Sequence, residues 1–469
     1  MPHTPDQILT VAQMRAAEEA LIAGGTSVDL LMQWAGRGAA DWVWRLAAMH
    51  RVTVLCGPGN NGGDGYVIAE AIRESGGNVA VIAATEPKTE AARVARALYR
   101  GEVLGSEADL HGEVFVDCLF GSGLTRSLQP AHMTLLSRLA ASHRHCIAID
   151  LPSGVEADSG IHLNADLPQF DVTISLGAWK FAHFLMPASA GMGALRLIGI
   201  GVEPVVGAAR VVRPPALSAP AADAHKYRRG LLGVVAGAMP GAALLACTAA
   251  QGAGAGYVRL MAAELPGAPA DLVLDNRPLK QTLDDKRIAA LLVGPGLGRD
   301  SHAQSILEAV LERNCPTVLD ADALNLLDGS MLMERVHGLI LTPHEGEMAS
   351  LERVFRLTGE GPKHVRALEL AGETGAIVVF KGPDTVIAAS DGRLACAPRG
   401  SSWLSVAGTG DVLAGTVASR LACGADPFDA ACEGVWLHSE AARQVPAPFT
   451  ASQLAAMIPA AYAAACEPA

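Results

Sequence analysis

The chain has 469 residues, half of them apolar, and a formal net charge of −12. That length carries two or three domains, and the apolar share lets each build a core without covalent staples. A net negative chain with no basic run excludes nucleic acid as a main partner, and nine scattered cysteines with no C-x-x-C pair exclude a disulfide framework or zinc cluster, reading instead as buried thiols of a reducing compartment. Met1–Thr10 has neither a basic n-region nor an apolar h-region, so no export signal is expected.

Apolar spacing predicts helices over Val11–Ala23 and Leu30–Leu46. Arg51–Cys56 is a short β-rich run that empties into Gly57-Pro58-Gly59-Asn60-Asn61-Gly62-Gly63-Asp64-Gly65, read as a loop, before a helix through Val67 and Ile72 that ends at Gly76-Gly77. Strand, glycine loop, helix opens a doubly wound α/β domain. The loop is not G-x-G-x-x-G, but five glycines around two amides and a carboxylate exceed what a turn needs. Alternation continues with strands at Val79–Ala83, Val114–Leu119 and Cys146–Ile149 and helices at Glu90–Tyr99 and Met133–Ser142. In open α/β sheets ligands bind beyond the carboxyl ends of strands, so Asn61, Asp64, Asp117, Asp150 and Ser153 should meet in one crevice.

Arg213–Ala224, rich in proline and small residues without periodicity, reads as a linker. We place a first domain at residues 1–213, the linker at 214–224 and a second domain at 225–469. Gly230–Val258 carries no charge over a length that spans a bilayer on paper, but Gly237, Pro240, Gly241, Gly252, Gly254 and Gly256 interrupt it. It reads as strand, glycine turn and small-residue helix, so no membrane partner is expected. Strands follow at Ala289–Val293, Thr317–Asp320, Leu339–Leu341 and Ala376–Phe380, each with a polar or glycine-rich sequel: Gly294–Gly298, Asp320–Asn325, Thr342–Glu347 and Lys381–Thr385. Val406–Gly415 closes the series. Gly408 and Gly410 let the backbone curl, a helix starts there on Leu413, Val417 and Leu421, and its open N–H groups make an anion site with Asp411 at the lip. A carboxylate there is poorly placed to bind phosphate and well placed to take a proton from an attacking hydroxyl. With Lys381 to balance charge and His344 nearby, the crevice suits phosphoryl transfer.

Gly57–Gly65, Asp117 with Gly121–Leu124, Asp150–Gly154 and Lys180 with Gly191–Val202 resemble the N-terminal domain of the bifunctional NAD(P)H-hydrate repair enzymes, and the five motifs of the second half resemble their C-terminal domain, in the family's order. The resemblance implies a Rossmann-like three-layer α/β/α domain that epimerises R-NAD(P)HX to the S form, followed by a ribokinase-like α/β domain that dehydrates S-NADHX or S-NADPHX with ADP, giving NAD(P)H, AMP and phosphate. It implies potassium at Asn61, Asp117 and Ser153. It implies substrate in the first domain at Asn60, Asn61, Gly62, Gly63 and Asp64, at Gly121, Ser122, Gly123, Leu124, Thr125, Arg126 and Ser127, and at Asp150. In the second it implies adenine nucleotide at Lys381, Gly382, Pro383, Asp384, Thr385 and Gly410, with hydrated dinucleotide at Ala242, Gly296, His344 and Asp411. Two stretches depart from the family: Leu31-Met32-Gln33-Trp34, where an acid and an amide usually follow Leu-Met, and Ser402-Trp403-Leu404-Ser405, where Gly-Met-Ala-Thr is usual. Trp403 can stack on a base, narrow the nucleotide pocket or simply fill space.

The resulting expectation is a cytoplasmic homo-oligomer with two active sites and Mg2+ bridging the nucleotide's phosphates. In the second site Asp411 is the base. In the first an acid such as Asp64 or Asp150 shuttles protons. The rival reading is a vitamin or sugar kinase fused to a non-catalytic binding domain, which would release a phosphorylated product in place of free phosphate.

Overall fold

The computed structural model describes residues 6–262, 265, 268–332 and 338–466. The start of the stretch read for an export signal, and the outer ends of both expected domains, lie outside the described residues. The chain divides into two compact units, Met1–Arg210 and Val211–Ala469.

The first unit contains, in order, β1 (Gln7–Ile8), α1 (Val11–Ala23), α2 (Val28–Ala47), β2 (Val52–Cys56), α3 (Asn60–Glu74), β3 (Val79–Ala83), α4 (Glu90–Leu98), β4 (Glu102–Leu104), β5 (Gly112–Cys118), α5 (Pro130–Ala141), β6 (His143–Ile149), β7 (Val172–Leu176), β8 (Ala194–Ile198) and β9 (Ala209–Val211). Its seven-stranded sheet runs β4-β3-β2-β5-β6-β7-β8 with every neighbouring pair parallel. β1 pairs antiparallel with β9. β2 and β7 are covered on both faces: all five residues of each are buried. The chain leaves β2 toward β3 and β4, then returns to β5 on the other side. That reversal opens a crevice beyond the carboxyl ends of β2 and β5.

The glycine-rich stretch read as a loop is largely helix. α3 begins at Asn60, so Asn60–Gly65 form its opening turns. Glycines inside a helix cost about 1 kcal/mol each relative to alanine, and here close packing explains them. A Cβ on Gly62 would stand 1.9 Å from the Gly57 carbonyl oxygen, one on Gly63 2.6 Å from Met32 Cε, and one on Gly65 2.8 Å from Cys56 Sγ. The glycines bring α3 down onto the sheet and α2 onto α3.

The second unit contains β10 (Leu231–Val235), α6 (Pro240–Gly252), β11 (Tyr257–Met261), β12 (Val273–Asp275), α7 (Leu279–Leu283), β13 (Ile288–Val293), α8 (Ser301–Glu312), β14 (Thr317–Leu319), α9 (Asp322–Leu326), β15 (Leu339–Leu341), α10 (Glu345–Val354), α11 (Lys363–Thr374), β16 (Ile377–Phe380), β17 (Val386–Ala388), β18 (Leu394–Cys396), α12 (Thr409–Ala422), α13 (Pro427–Gln444) and α14 (Ala451–Cys466). Its strands run β12-β11-β10-β13-β14-β15-β16-β17-β18, parallel except for the β17–β18 hairpin, which is antiparallel to β16 and within itself. The order reverses at β10 and β13, and the second crevice opens there.

Gly230–Val258 folds as β10, the glycine turn, α6 and the start of β11. Among the described residues no helix is long and apolar enough to cross a membrane. α12 is held between α6 and α13 at glycines: a Cβ on Gly415 would meet the Ala246 carbonyl oxygen at 2.1 Å, and one on Gly434 would meet Val417 Cγ2 at 2.5 Å. Leu217, within the proline-rich stretch, packs against the cluster that includes Leu454 and Ile458 of α14. All nine cysteines are free, most of them buried.

Candidate active sites

In the first unit β2 is followed by Gly57, where a Cβ would lie 1.8 Å from the Leu119 carbonyl oxygen, so the loops after β2 and β5 touch. α3 starts with Gly59 as its N-cap and no side-chain cap, leaving its first N–H groups open toward the crevice. With its amide oriented to suit its neighbours, Asn61 donates to the Ile149 carbonyl and accepts from Gly121 N–H, both at 3.3 Å. Asp117, fully buried at the end of β5, accepts from the N–H groups of Leu119 (3.0 Å) and Ser153 (2.9 Å) and from Ser153 Oγ (2.8 Å). Burial pushes its carboxyl up to about 6 against those hydrogen bonds. The crevice thus gathers oxygen donors around a buried carboxylate to which, among the described residues, no lysine or arginine is bonded, a donor set that suits a hard cation.

Asp150 follows β6 with φ 65°, a left-handed conformation that its surroundings over-determine. Lys180 Nζ donates to its Oδ1 (2.5 Å), Ser122 N–H donates to its Oδ2 (2.9 Å), and its carbonyl pairs with His183 Nε2 (2.9 Å). Burial works to raise this carboxyl, but Lys180 outweighs it and the net shift is down. Lys180 is itself 1% exposed, its charge shared between Asp150 and the Leu176 carbonyl at 2.7 Å. Burial first, then the positive Lys180, press the His183 imidazole down to about 4, so it is neutral. Asp64 behaves in the opposite way to Asp150. It is buried in the opening of α3, receives no hydrogen bond among the described residues, and is pushed well above the usual carboxylate range by burial and then by Asp150 and Glu18. One electrostatic cluster thus holds one carboxyl down and pushes another up, the kind of divergence from which an acid/base pair can be built.

The remaining residues of this crevice form its mouth. Asn60, Gly123, Thr125, Arg126 and Ser127 are exposed, Gly121, Ser122 and Leu124 partly so, while Gly62 and Gly63 are buried in helix packing. A Cβ on Gly121 would stand 2.9 Å from Asp150 Oδ2 and 3.2 Å from Asn61 Cγ, so the loop presses directly on both.

In the second unit the loops after β10 and β13 interlock. Met239 N–H donates to the Gly296 carbonyl at 2.8 Å, and a Cβ on Gly237 would meet Leu297 Cα at 2.3 Å. Gly296 has φ 62°, and Ala242 lies in the first turn of α6 beside it. Asp320, after β14, accepts from Thr342 Oγ1 (2.7 Å) and Lys381 Nζ (2.6 Å). Lys381 also stands 3.7 Å from Glu347 Oε2. A Cβ on Gly410 would lie 3.5 Å from the same ammonium, which brings Lys381 against the N-terminus of α12. Gly408 caps that helix at φ 90° with no side-chain cap, so the first-turn N–H groups are open. Asp411 is partly buried beside them. Burial, then Asp320, raise its carboxyl to about 7 against the pull of Lys381. Lys381 is raised as well: burial works to lower it, but Asp320, Glu347 and Asp411 hold it above its ordinary value.

His344 is exposed and caps α10, its Nδ1 accepting from Gly346 and Glu347 N–H while Glu347 Oε2 accepts from His344 N–H at 2.9 Å. Its Nε2 faces outward, 3.4 Å from Glu347 Oε1. Gly382 and Pro383 are exposed, Thr385 Oγ1 bonds both the N–H and the carbonyl of Gly382, and Asp384 turns inward to an ion pair with Lys363 at 2.6 Å. Trp403, 49% exposed, sits in a short 3-10 turn just before α12. Sequence reasoning singled out neither Lys363 nor His438. His438, on α13, is buried, held neutral by burial at about 4, and pairs through Nε2 with the Thr409 carbonyl at 3.0 Å. No local motif marks either residue, since each meets its partner across the fold.

A family model described as NAD(P)H-hydrate dehydratase matches residues 232–461, and one described as YjeF-related protein N-terminus matches residues 28–182. The bifunctional NAD(P)H-hydrate repair enzyme of Synechocystis sp. is 32% identical over 92% of this chain and 90% of its own length. That of Gloeobacter violaceus is 33% identical over 94% of each. Among solved structures, the ADP/ATP-dependent NAD(P)H-hydrate dehydratase from Bacillus subtilis, co-crystallised with ATP and Mg2+, is 30% identical and covers 53% of this chain and 95% of its own, with a TM-score of 0.47.

Proposed function

This chain belongs to the bifunctional NAD(P)H-hydrate repair enzymes, and from that premise we propose how its two crevices divide the work. The first unit epimerises R-NAD(P)HX to S-NAD(P)HX. The second dehydrates S-NAD(P)HX to NAD(P)H at the expense of an adenine nucleotide, ADP in our reading.

The observation that carries the second activity is Asp411, a carboxyl raised to about 7 beside an open helix N-terminus and the Lys381 ammonium. A base tuned near neutral pH takes the proton of the ring hydroxyl most efficiently. The freed oxygen attacks the terminal phosphoryl of ADP, and AMP leaves with the electrons of the P–O bond that breaks. The C–O bond of the phosphorylated ring then breaks, phosphate departs with its electron pair, and loss of a ring proton restores the double bond. Phosphate is a far better leaving group than hydroxide, which is the reason for spending a nucleotide. The first-turn N–H groups of α12 and Lys381 stabilise the charge that builds on the phosphoryl oxygens. Lys381, Gly382, Pro383, Asp384, Thr385 and Gly410 border the nucleotide, and Ala242, Gly296, His344 and Asp411 the hydrated dinucleotide. Asp384 does so from behind, fixing the loop through Lys363. Among the described residues no three metal-type side chains cluster. That suits a magnesium ion carried mainly by the phosphates.

In the first unit Asp150, aimed by Lys180 and Ser122, serves as base and Asp64, with its raised carboxyl, as acid: Asp150 takes the proton of the ring hydroxyl as the adjacent C–N bond breaks to leave a carbonyl, Asp64 protonates the nitrogen, and reversal of both transfers recloses the ring on the opposite face of that carbon. Asn61, Asp117 and Ser153 are the oxygen donors that would hold a potassium ion, which would supply fixed positive charge beside the reacting ring.

Two incubations test the reading. R-NADHX alone should give S-NADHX, and S-NADHX with ADP should regain the absorbance of reduced nicotinamide and release free phosphate. A stable phosphorylated product with no free phosphate would instead make the second unit a small-molecule kinase.

A further inference from the structure

The floor of the first crevice is acidic. Asp150, Asp64 and Glu18 influence one another there, and the one buried ammonium, Lys180, is already committed to Asp150 and the Leu176 carbonyl. A hydrated dinucleotide carries a pyrophosphate, and its phosphorylated form a further phosphate. The floor repels these groups, so their countercharge must come from the rim. α1 crosses that rim. Its Met14 packs against Gly177, where a Cβ would meet Met14 Cε at 2.3 Å. Glu18 faces the floor, since its carboxyl responds to burial, then to Lys180 and Asp150. Between them Arg15 reaches the loop of residues 121–127: a Cβ on Gly123 would lie 4.0 Å from Arg15 Nη2. Arg15 is exposed and makes no hydrogen bond or ion pair among the described residues. Gly123 presents bare backbone opposite it, so a planar guanidinium has room to take an oxyanion with two N–H donors. Arg15 lies near enough to Glu18 to pull its carboxyl down, and its guanidinium extends toward the Gly123 side of the mouth.

We infer that Arg15 is a specificity-determining residue of the epimerase site, receiving a phosphate of the hydrated dinucleotide at the Gly123 side of the mouth. This rests on the epimerase reading of the first unit. Arg15 therefore selects for the intact phosphorylated cofactor over its bare nucleoside, and it contributes to substrate capture more than to the chemical step.

The test compares the full-length wild-type chain with Arg15→Ala and Arg15→Lys on two R-configured probes: hydrated NADH and hydrated reduced nicotinamide riboside, which has no phosphate. Dehydration of S-NADHX by the same preparations reports on folding. For hydrated NADH, Arg15→Ala should raise KM about tenfold or more, with kcat within about twofold and a weaker dependence of kcat/KM on salt. Arg15→Lys should recover part of the loss, as a point charge does without the bidentate fork. The riboside should not distinguish the three proteins. An unchanged KM and salt dependence in Arg15→Ala overturns the inference. So does an equal penalty on the riboside, which would make Arg15 a support for the loop or for Glu18. A wild-type chain that epimerises neither probe removes the epimerase reading itself, and the inference with it.

Discussion

Lys381 is committed to Asp320, Nζ to Oδ1 at 2.6 Å, and that pairing sets the character of Asp411. Three carboxyls, Asp320, Glu347 and Asp411, share one ammonium, and Asp320 takes the hydrogen bond. Asp411 feels the negative charge of Asp320 more than the positive charge of Lys381, and with burial this lifts it to about 7. Two substitutions should move the acid limb of dehydration in opposite directions. Asp320→Asn removes the repelling charge and frees Lys381, so Asp411 ionises at lower pH. Lys381→Met removes the attraction, so it ionises at higher pH. Shifts of about one pH unit are expected from losing a single neighbouring charge. A profile of kcat/KM against pH at saturating ADP reads both, and shifts in the same direction would defeat the argument.

Asp411→Asn keeps the side chain's shape and removes its basicity. Dehydration should fall by about a hundredfold to ten-thousandfold, the usual worth of a positioned base, while R-to-S epimerisation by the same preparation is unchanged. Near-parental clearance of S-NADHX would deny Asp411 its role.

In our proposal Asp64 is the acid of the first unit, so activity requires its proton. Burial raises its carboxyl, so its proton is lost only as pH rises through that elevated value, whereas Lys180 holds Asp150 low. Epimerisation should therefore decline on the alkaline side, and Asp64→Asn should cost about a hundredfold or more in kcat while retaining substrate binding. Equal activity of Asp64→Asn and the parent across pH would move the acid elsewhere.

Potassium dependence should map to Asp117. Replacing potassium by tetramethylammonium should lower epimerisation in the parent chain, and Asp117→Asn should abolish that response, with dehydration followed in parallel. A response that survives Asp117→Asn would take the ion away from this crevice.

Gly294→Ala probes packing in place of chemistry. Its φ of 125° disfavours any side chain, and a Cβ would stand 1.8 Å from the carbonyl oxygen of Asp320. A loss of about 1–3 kcal/mol or more is expected from overpacking and strain, together with displacement of Asp320 and hence weaker dehydration. Thermal unfolding and the dehydration rate measure the two effects.

Much of this was legible in local pattern. An apolar run of four to six residues followed by glycine or a polar cluster marks a parallel strand and the rim of a crevice, and that pattern located Asn61, Asp117, Asp150, Asp320, Lys381 and Asp411 at strand ends or helix starts, because such signals lie within a few residues of one another. It misjudged Asn60–Gly65, where glycine suggested a loop. The glycines there serve the close approach of a helix, and only the neighbours, Gly57, Met32 and Cys56, reveal that. The sequence reading also has no strand at β1, β4, β7, β8, β9, β11, β12, β17 or β18, since runs of two to five residues carry little periodicity.

What the chain's local order could not say is which charge meets which. Lys381 and Asp320 are 61 residues apart, and Lys180 and Asp150 are 30 apart. Their meetings follow from strand pairing: Asp150 and Lys180 come after the parallel neighbours β6 and β7, and Asp320 and Lys381 after β14 and β16, on either side of β15. Asp64 and Asp150 are the same residue type, one in the helix that follows β2 and the other directly after β6, with β5 between those strands, yet packing pushes the first carboxyl up and holds the second down. A carboxyl's acidity depends on burial and on the charges that tertiary packing places around it, and neither quantity is written in the residue itself.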